Sequence, residues 1–149
     1  SLVKNFNNEL SKYNRNPCVV FDIDGTILVD GNYAPSSNDD IVTDVYEFLL
    51  YLQTRGISIF IITARPDSQA NRQGTMNMLD DLRIDYKYLY MWDRSSIGNH
   101  TTFKELARKD ILDNNYNIVM SLGDNEWDYG KHGGLGVHIH NDGEYITYH

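Results

Sequence analysis

Cys18-Val19-Val20-Phe21-Asp22-Ile23-Asp24-Gly25-Thr26 decides how this chain is read: an unbroken apolar run delivers two carboxylates, spaced i and i+2, to its own carboxyl end. Four consecutive apolar residues without polar alternation predict a strand buried on both faces, as in a parallel sheet. The two acids after it face one pocket if the backbone turns there, and Gly25 permits such a turn. Clustered carboxylates call for a cation, and hard oxygen donors favour Mg²⁺. Taken alone, the same residues also suit a solvated acidic turn. A calcium loop is excluded. Its sixth position would be Ile27 where glycine is required, its twelfth Tyr33 where glutamate is required, and a strand precedes it instead of a helix.

Beyond this stretch, apolar runs alternate with amphipathic ones. Ser36, Ser37 and Asn38 offer helix N-caps, and Asp39 and Asp40 suit a first turn. Ile41, Val45, Phe48, Leu49 and Leu52 then recur at helical spacing until Gly56. Ile57 to Ile62 predicts a second buried strand ending at Thr63. Pro66 and Asp67 introduce a helix running to about Leu82, with Met76, Leu79 and Leu82 inward. A strand over Tyr88 to Met91 follows, then a helix over Thr101 to Leu112 with Phe103, Leu106, Ala107 and Ile111 inward. Ile118 to Leu122 and Val137 to Ile139 predict two more strands, and Tyr145 to His149 an extra strand or a surface segment. This alternation predicts an α/β fold of three layers, Rossmann-like, with a central parallel sheet of about five strands and helices on both faces. No repeat or linker divides residues 1–149, so a single domain is expected.

Hydrophobic content of 41% and charged content of 23% suit a globular chain of 149 residues. No apolar run approaches the roughly 20 residues of a membrane span, and no signal peptide is evident. A cytoplasmic location is expected, although a start at Ser1 leaves room for a processed leader. The net charge of -8 argues against binding a phosphate backbone, because such affinity comes from Lys and Arg. The single cysteine, Cys18, lies in the apolar run and reads as a small core residue.

In parallel α/β sheets ligands bind outside the carboxyl ends of the strands. Asp22, Thr63 and Asp124 each end or follow a predicted strand, so all three should meet on one rim. The Thr63 hydroxyl can donate to a phosphoryl oxygen, and Arg65 can reach an anion or pair with a neighbouring acid. Lys104 can neutralise a phosphoryl group, with Arg108 and Lys109 as competitors. Gly123-Asp124-Asn125-Glu126-Trp127-Asp128 adds a further acid, Asp128, placed to orient Lys104 or a metal-bound water.

This ordered set resembles the four motifs of the haloacid dehalogenase (HAD) superfamily, mapped onto Asp22 with Asp24, Thr63, Lys104, and Asp124 with Asp128. Gly123-Asp124-Asn125, Asp128-Tyr129-Gly130, Thr63-Ala64-Arg65-Pro66 and Gly74-Thr75 are similar to class C and plant-type acid phosphatases. The resemblance implies a Mg²⁺-dependent phosphomonoester hydrolase with Asp22 as nucleophile, Asp24 as acid/base, and Thr63 and Lys104 on the phosphoryl oxygens. Mg²⁺ would be held by Asp22, the Asp24 carbonyl and Asp124, with Gly25, Thr26, Ala64, Arg65, Asn125 and Asp128 in supporting or phosphate-binding positions. The intervals between motifs leave room for little or no cap domain. The expected partner is a small phosphomonoester, nucleotides first, with no membrane and a monomer or homodimer. The alternatives are a phosphatase of polynucleotide 3′ or 5′ ends, disfavoured by charge, and a phospho-acceptor domain without turnover. Tyr33, Trp92 and Trp127 are candidates for stacking on a base, with packing as the plainer role. His138 and His140 share a strand face but have no evident third metal ligand.

Overall fold

The computed structural model describes residues 1–29, 35 and 37–149. Strands β1 (Pro17–Phe21), β2 (Ser58–Pro66), β3 (Tyr88–Trp92), β4 (Asn117–Gly123), β5 (Leu135–Ile139) and β6 (Tyr145–Tyr148) form one sheet in the order β3-β2-β1-β4-β5-β6. The first five are parallel, and β6 pairs with β5 antiparallel. The expected five-stranded parallel sheet is therefore present, and the segment from Tyr145 is a sixth strand. Helices are α1 (Leu2–Leu10), α2 (Thr43–Thr54), α3 (Gln69–Asp81) and α4 (His100–Asp113).

The apolar run of β1 is shared between two cores. Val19 and Phe21 pack with Phe6, Val45, Phe48, Leu49, Leu52 and Leu79 from α1, α2 and α3. Cys18 and Val20 face the other way, onto Phe103, Ala107 and Ile111 of α4. Burial raises the Cys18 pKa to about 12, which keeps the thiol protonated and inert. The chain lays down β1, β2 and β3 in one direction and then crosses back to place β4 beside β1. Strand order thus reverses at β1, and the amide of Asp22 closes the junction by donating to the Leu122 carbonyl at 3.0 Å. Such a reversal is where open α/β sheets form their binding crevice.

Several expected boundaries shift, each for a local reason. Asn38–Asp40 is a separate 3₁₀ turn, with the Ser37 amide donating to Asp40 Oδ2 at 3.1 Å, so α2 starts only at Thr43. Its end is as expected: amides of Gly56 and Ile57 donate back to Gln53 and Leu52, closing the last turn. Pro66 stays in β2 opposite Trp92, past a register shift after Thr63, and α3 begins two residues beyond Asp67 under a Ser68 cap. Asp67 instead holds Arg72 at 3.0 Å. On α3 the buried apolar residues are Met78 and Leu79, whereas Met76 and Leu82 are only partly buried against the core. On α4, Leu106 is 50% exposed and not inward; its expected place on the inner face is taken by Lys104 and Arg108. Helix α1 was not legible, being short and rich in Asn, yet it buries Leu2 and Phe6 one turn apart. Ser36 and Tyr33 lie outside the described residues. Among the described residues, the stretch between β1 and β2 holds only the 3₁₀ turn and α2, in keeping with a minimal cap. No helix among them is long and apolar enough to cross a membrane.

Candidate active site

At the carboxyl end of the sheet, the β1 loop folds back over Ile23, whose carbonyl accepts from the amides of Thr26, Ile27 and Leu28. This turn sets Asp22 and Asp24 on one side. Gly25 has φ +80° and passes so close to Asp124 that a Cβ there would lie 2.2 Å from Asp124 Oδ2. A side chain at Gly25 would therefore push Asp124 away. Gly123 plays the same part behind β4, where a Cβ would meet the Asp128 side chain at 2.0 Å.

Asp22, Asp24, Thr63, Ala64, Arg65, Lys104, Asp124 and Asn125 line one cavity of about 280 Å³, joined by His100 and Trp127. Gly25, Thr26 and Asp128 stand behind these residues. Lys104 is fully buried and donates to Asp22 Oδ1 at 3.0 Å and to the Ile62 carbonyl at 2.6 Å. Its ammonium also pairs with Asp128 Oδ1 at 2.7 Å. Burial opposes the charge on Lys104, but Asp128 and Asp22 outweigh it and raise its pKa, so the lysine is a fixed cation. The Thr26 hydroxyl donates to Asp22 Oδ2 at 3.3 Å. Asp128 Oδ2 accepts from the Asn125 amide at 3.0 Å, which ties the post-β4 loop to its own acid.

Of the three competing cations, Lys104 alone reaches Asp22. Lys109 is on the surface with Asp113. Arg108 is fully buried one turn further along α4, where Nε and Nη1 donate to the carbonyls of Lys131 and Trp127, both at 2.8 Å. It thus clamps the loop that carries Asp124 and Asp128. Arg65, open in its reading between an anion and an acid, pairs with Asp24 in a bidentate fashion along one edge of the guanidinium, Nε to Oδ2 and Nη2 to Oδ1, both at 2.9 Å. Its remaining arm donates to Thr75 Oγ1 at 3.2 Å. The Thr63 hydroxyl is buried at the end of β2 and accepts from the Arg65 amide at 3.2 Å.

Asp22, Asp124 and Asp128 offer carboxylate oxygens within 4.8 Å of one another. Burial first, then repulsion from Asp128 and Asp124, holds the Asp22 pKa well above the usual aspartate range despite Lys104. Three hard oxygen donors crowded together fit a divalent cation, which would relieve that repulsion. Asp128 has both oxygens engaged, by Lys104 and by the Asn125 amide, and does not line the cavity, whereas Asp22 and Asp124 do and could hold an ion there. The Asp24 side chain is outside this cluster; only its backbone carbonyl is a candidate ligand.

A family model described as HAD superfamily, subfamily IIIB (acid phosphatase) matches residues 1–136. The chain belongs to this family. Its sheet is the expected Rossmann-like one. In fold it is similar to a chain of the Pnkp1/Rnl/Hen1 complex, at 19% identity and a TM-score of 0.68, covering 84% of this chain and 46% of that one. A second structure, of the Pnkp1/Rnl/Hen1 RNA repair complex, matches at 22% identity and a TM-score of 0.67, covering 84% and 42%. The chain therefore spans less than half the length of those two chains. A D,D-heptose 1,7-bisphosphate phosphatase from B. bronchiseptica, complexed with magnesium and phosphate, matches at 12% identity and a TM-score of 0.61, covering 85% and 83%. No curated protein matches the chain.

His100 is the cavity residue that sequence reading missed, since a histidine at a helix start carries no signal by itself. Trp92 is buried, its Nε1 donating to the Ile97 carbonyl at 2.8 Å, so it packs and does not face a ligand. Trp127 does line the cavity. His138 shares a 2.7 Å hydrogen bond with the Tyr129 hydroxyl, and among the described residues no third ligand joins it and His140.

Proposed function

We propose that this chain is a Mg²⁺-dependent phosphomonoester hydrolase of the HAD type that works through an aspartyl-phosphate on Asp22. The observation that carries the reading is Asp22 at the cavity wall, with the fixed cation Lys104 at 3.0 Å and Asp124 beside it. Asp22 and Asp124, with the Asp24 carbonyl, would hold the ion. When bound, it offsets charge on the carboxylates and on the phosphoryl oxygens. The Asp22 carboxylate attacks phosphorus; the Asp22 O–P bond forms as the ester P–O bond breaks, and Asp24 gives a proton to the leaving oxygen. Asp24 then takes a proton from the water that attacks phosphorus, and the Asp22 O–P bond breaks to release phosphate. To serve in both steps, one Asp24 oxygen exchanges Arg65 for the leaving oxygen or the water. Arg65 thus keeps Asp24 aimed between steps. Thr63 and Lys104 hold phosphoryl oxygens while charge moves among them.

The substrate class favoured by the class C-like motifs is a small phosphate, with nucleotides first. Steady-state phosphate release, measured with Mg²⁺ and with chelator, tests the reading. Asp22→Asn is expected to lower turnover at least ~10³-fold with a melting temperature no lower than that of the wild type. Turnover by that variant, or turnover indifferent to chelator, would contradict it. One equivalent of bound phosphate without turnover would mark an acceptor domain instead. A second reading, a polynucleotide-end phosphatase, draws support from the likeness to chains of an RNA repair complex. It predicts salt-sensitive binding of 3′- or 5′-phosphorylated oligonucleotides, against the overall charge of -8.

A further inference from the structure

His100 is the first residue of α4, and Lys104 lies one turn further along the same helix face. Because α4 runs antiparallel to the strands, its first turn stands at the rim, outward of Lys104 by about 6 Å of helix. The imidazole is fixed between two indoles. Its ring centroid is 4.4 Å from that of Trp92, at 47°, and 4.8 Å from that of Trp127, at 24°. The stack ties the β3–α4 loop to the Glu126–Asp128 turn and walls one side of the cavity. Among the described residues no side chain or carbonyl hydrogen-bonds the His100 ring nitrogens, whereas Asp22, Asp24, Thr63, Arg65, Lys104, Asp124 and Asn125 of the same cavity all have partners.

Packing alone does not account for a histidine here. An apolar ring would stack between the indoles equally well, whereas the His100 ring nitrogens, on a partly exposed residue lining the cavity, add polar atoms that can meet a ligand there. A neutral imidazole offers one donor and one acceptor, which is the complement of a hydroxyl group. The phosphoryl group is met deeper in the cavity by Lys104 and Asp22, so what reaches the rim is the organic part of the ester.

We propose that His100 is a specificity residue that reads the leaving group, hydrogen-bonding through its ring nitrogens to a hydroxyl on the alcohol portion of the phosphomonoester. The substrate class this selects is a phosphate ester of a polyhydroxylated alcohol in preference to a plain alkyl phosphate. The proposal rests on the hydrolase reading above. The two Trp neighbours supply rigidity, and His100 supplies the contact.

The test uses a matched pair of substrates, glycerol 1-phosphate and n-propyl phosphate, with the full chain and Mg²⁺. Wild-type enzyme is expected to favour glycerol 1-phosphate about tenfold in kcat/KM, with the difference residing in KM. His100→Phe keeps the stack and removes both nitrogens, and should collapse that preference to within twofold. His100→Asn keeps a donor and an acceptor, and should retain most of it. A His100→Phe enzyme that still prefers glycerol 1-phosphate tenfold overturns the proposal, as does a wild type with no preference. A variant that loses kcat equally on both esters also overturns it, placing His100 at the phosphoryl centre. A wild type inert towards both esters and towards nucleoside monophosphates sinks the hydrolase reading itself, whereas one that cleaves nucleotides but neither ester, or both esters without discrimination, overturns the His100 proposal alone.

Discussion

Helices α2 and α4 have similar lengths and the same architectural task, covering opposite faces of one sheet, but they bury different chemistry. The inner face of α2 is Val45, Phe48, Leu49 and Leu52, all apolar. That of α4 is Phe103, Lys104, Ala107, Arg108 and Ile111, with two cations set four residues apart. Burying an ion costs several kcal/mol even after relaxation. The offset for Lys104 comes from Asp22, Asp128 and the Ile62 carbonyl, and for Arg108 from two loop carbonyls. One Arg108 nitrogen, Nη2, is buried without a partner among the described residues, and burial lowers the arginine's pKa. Helix α2 is therefore a packing element, whereas α4 sacrifices packing quality to bring charge to the sheet's rim. A helix that covers a sheet at such expense is working for the site.

The largest expected effect comes from setting the two helices against each other. Lys104→Met leaves Asp22 and Asp128 as buried acids without their cation. It should cost ~3–5 kcal/mol of stability and at least ~10²-fold in kcat, read by denaturant titration and steady-state kinetics. Leu49→Ala on α2 should cost a similar ~2–5 kcal/mol while kcat per folded molecule stays within about twofold. If both variants lost only stability, the distinction between the helices would fail.

A smaller effect is expected from pH. The Asp22 pKa is raised by burial and by Asp128 and Asp124, so the folded chain holds that proton more tightly than the unfolded chain does. Metal-free stability contributed by this group is complete below the unfolded aspartate pKa and declines as pH rises through the elevated folded value. Melting temperatures of metal-free wild type and Asp22→Asn, compared from mildly acidic to neutral pH, should converge at acidic pH and separate in favour of the variant as pH rises. A gap that narrows with rising pH would refute the assignment. The smallest effect belongs to Leu106→Gln, which should change stability by no more than about 0.5 kcal/mol, since the residue is 50% exposed. A loss of several kcal/mol would show that α4 presents the other face.

That contrast also explains how far the sequence could be read. Hydrophobic periodicity located β1, β2, β4 and the inner face of α2, because there the only demand on the residues is to be apolar. It failed on α4, where the rule selects Leu106 and rejects Lys104 and Arg108 as core residues. The positions of Asp22, Asp24, Thr63 and Asp124 were legible because each is tied to a strand end, whereas Lys104 was set apart from Arg108 and Lys109 only by the resemblance to the HAD motifs. The Asp24–Arg65 pairing and the loop clamp by Arg108 were not, since such contacts span distant residues and have no local pattern. His100 escaped for the same reason: its significance lies in Trp92 and Trp127, which approach it from two other elements.

The near-contact between Gly25 and Asp124 gives the sheet's register a second role. Phe21 sits opposite Leu122, so the loops leaving β1 and β4 start level and mesh with less than a methyl group of play. The hydrogen-bond ladder between these strands thus works as a ruler, setting how far apart the Asp22 and Asp124 carboxylates stand. A slip of one residue would turn inward-facing side chains outward, and it would also unmesh the loops. Fidelity of strand pairing in the core and spacing of charge at the rim are one and the same measurement.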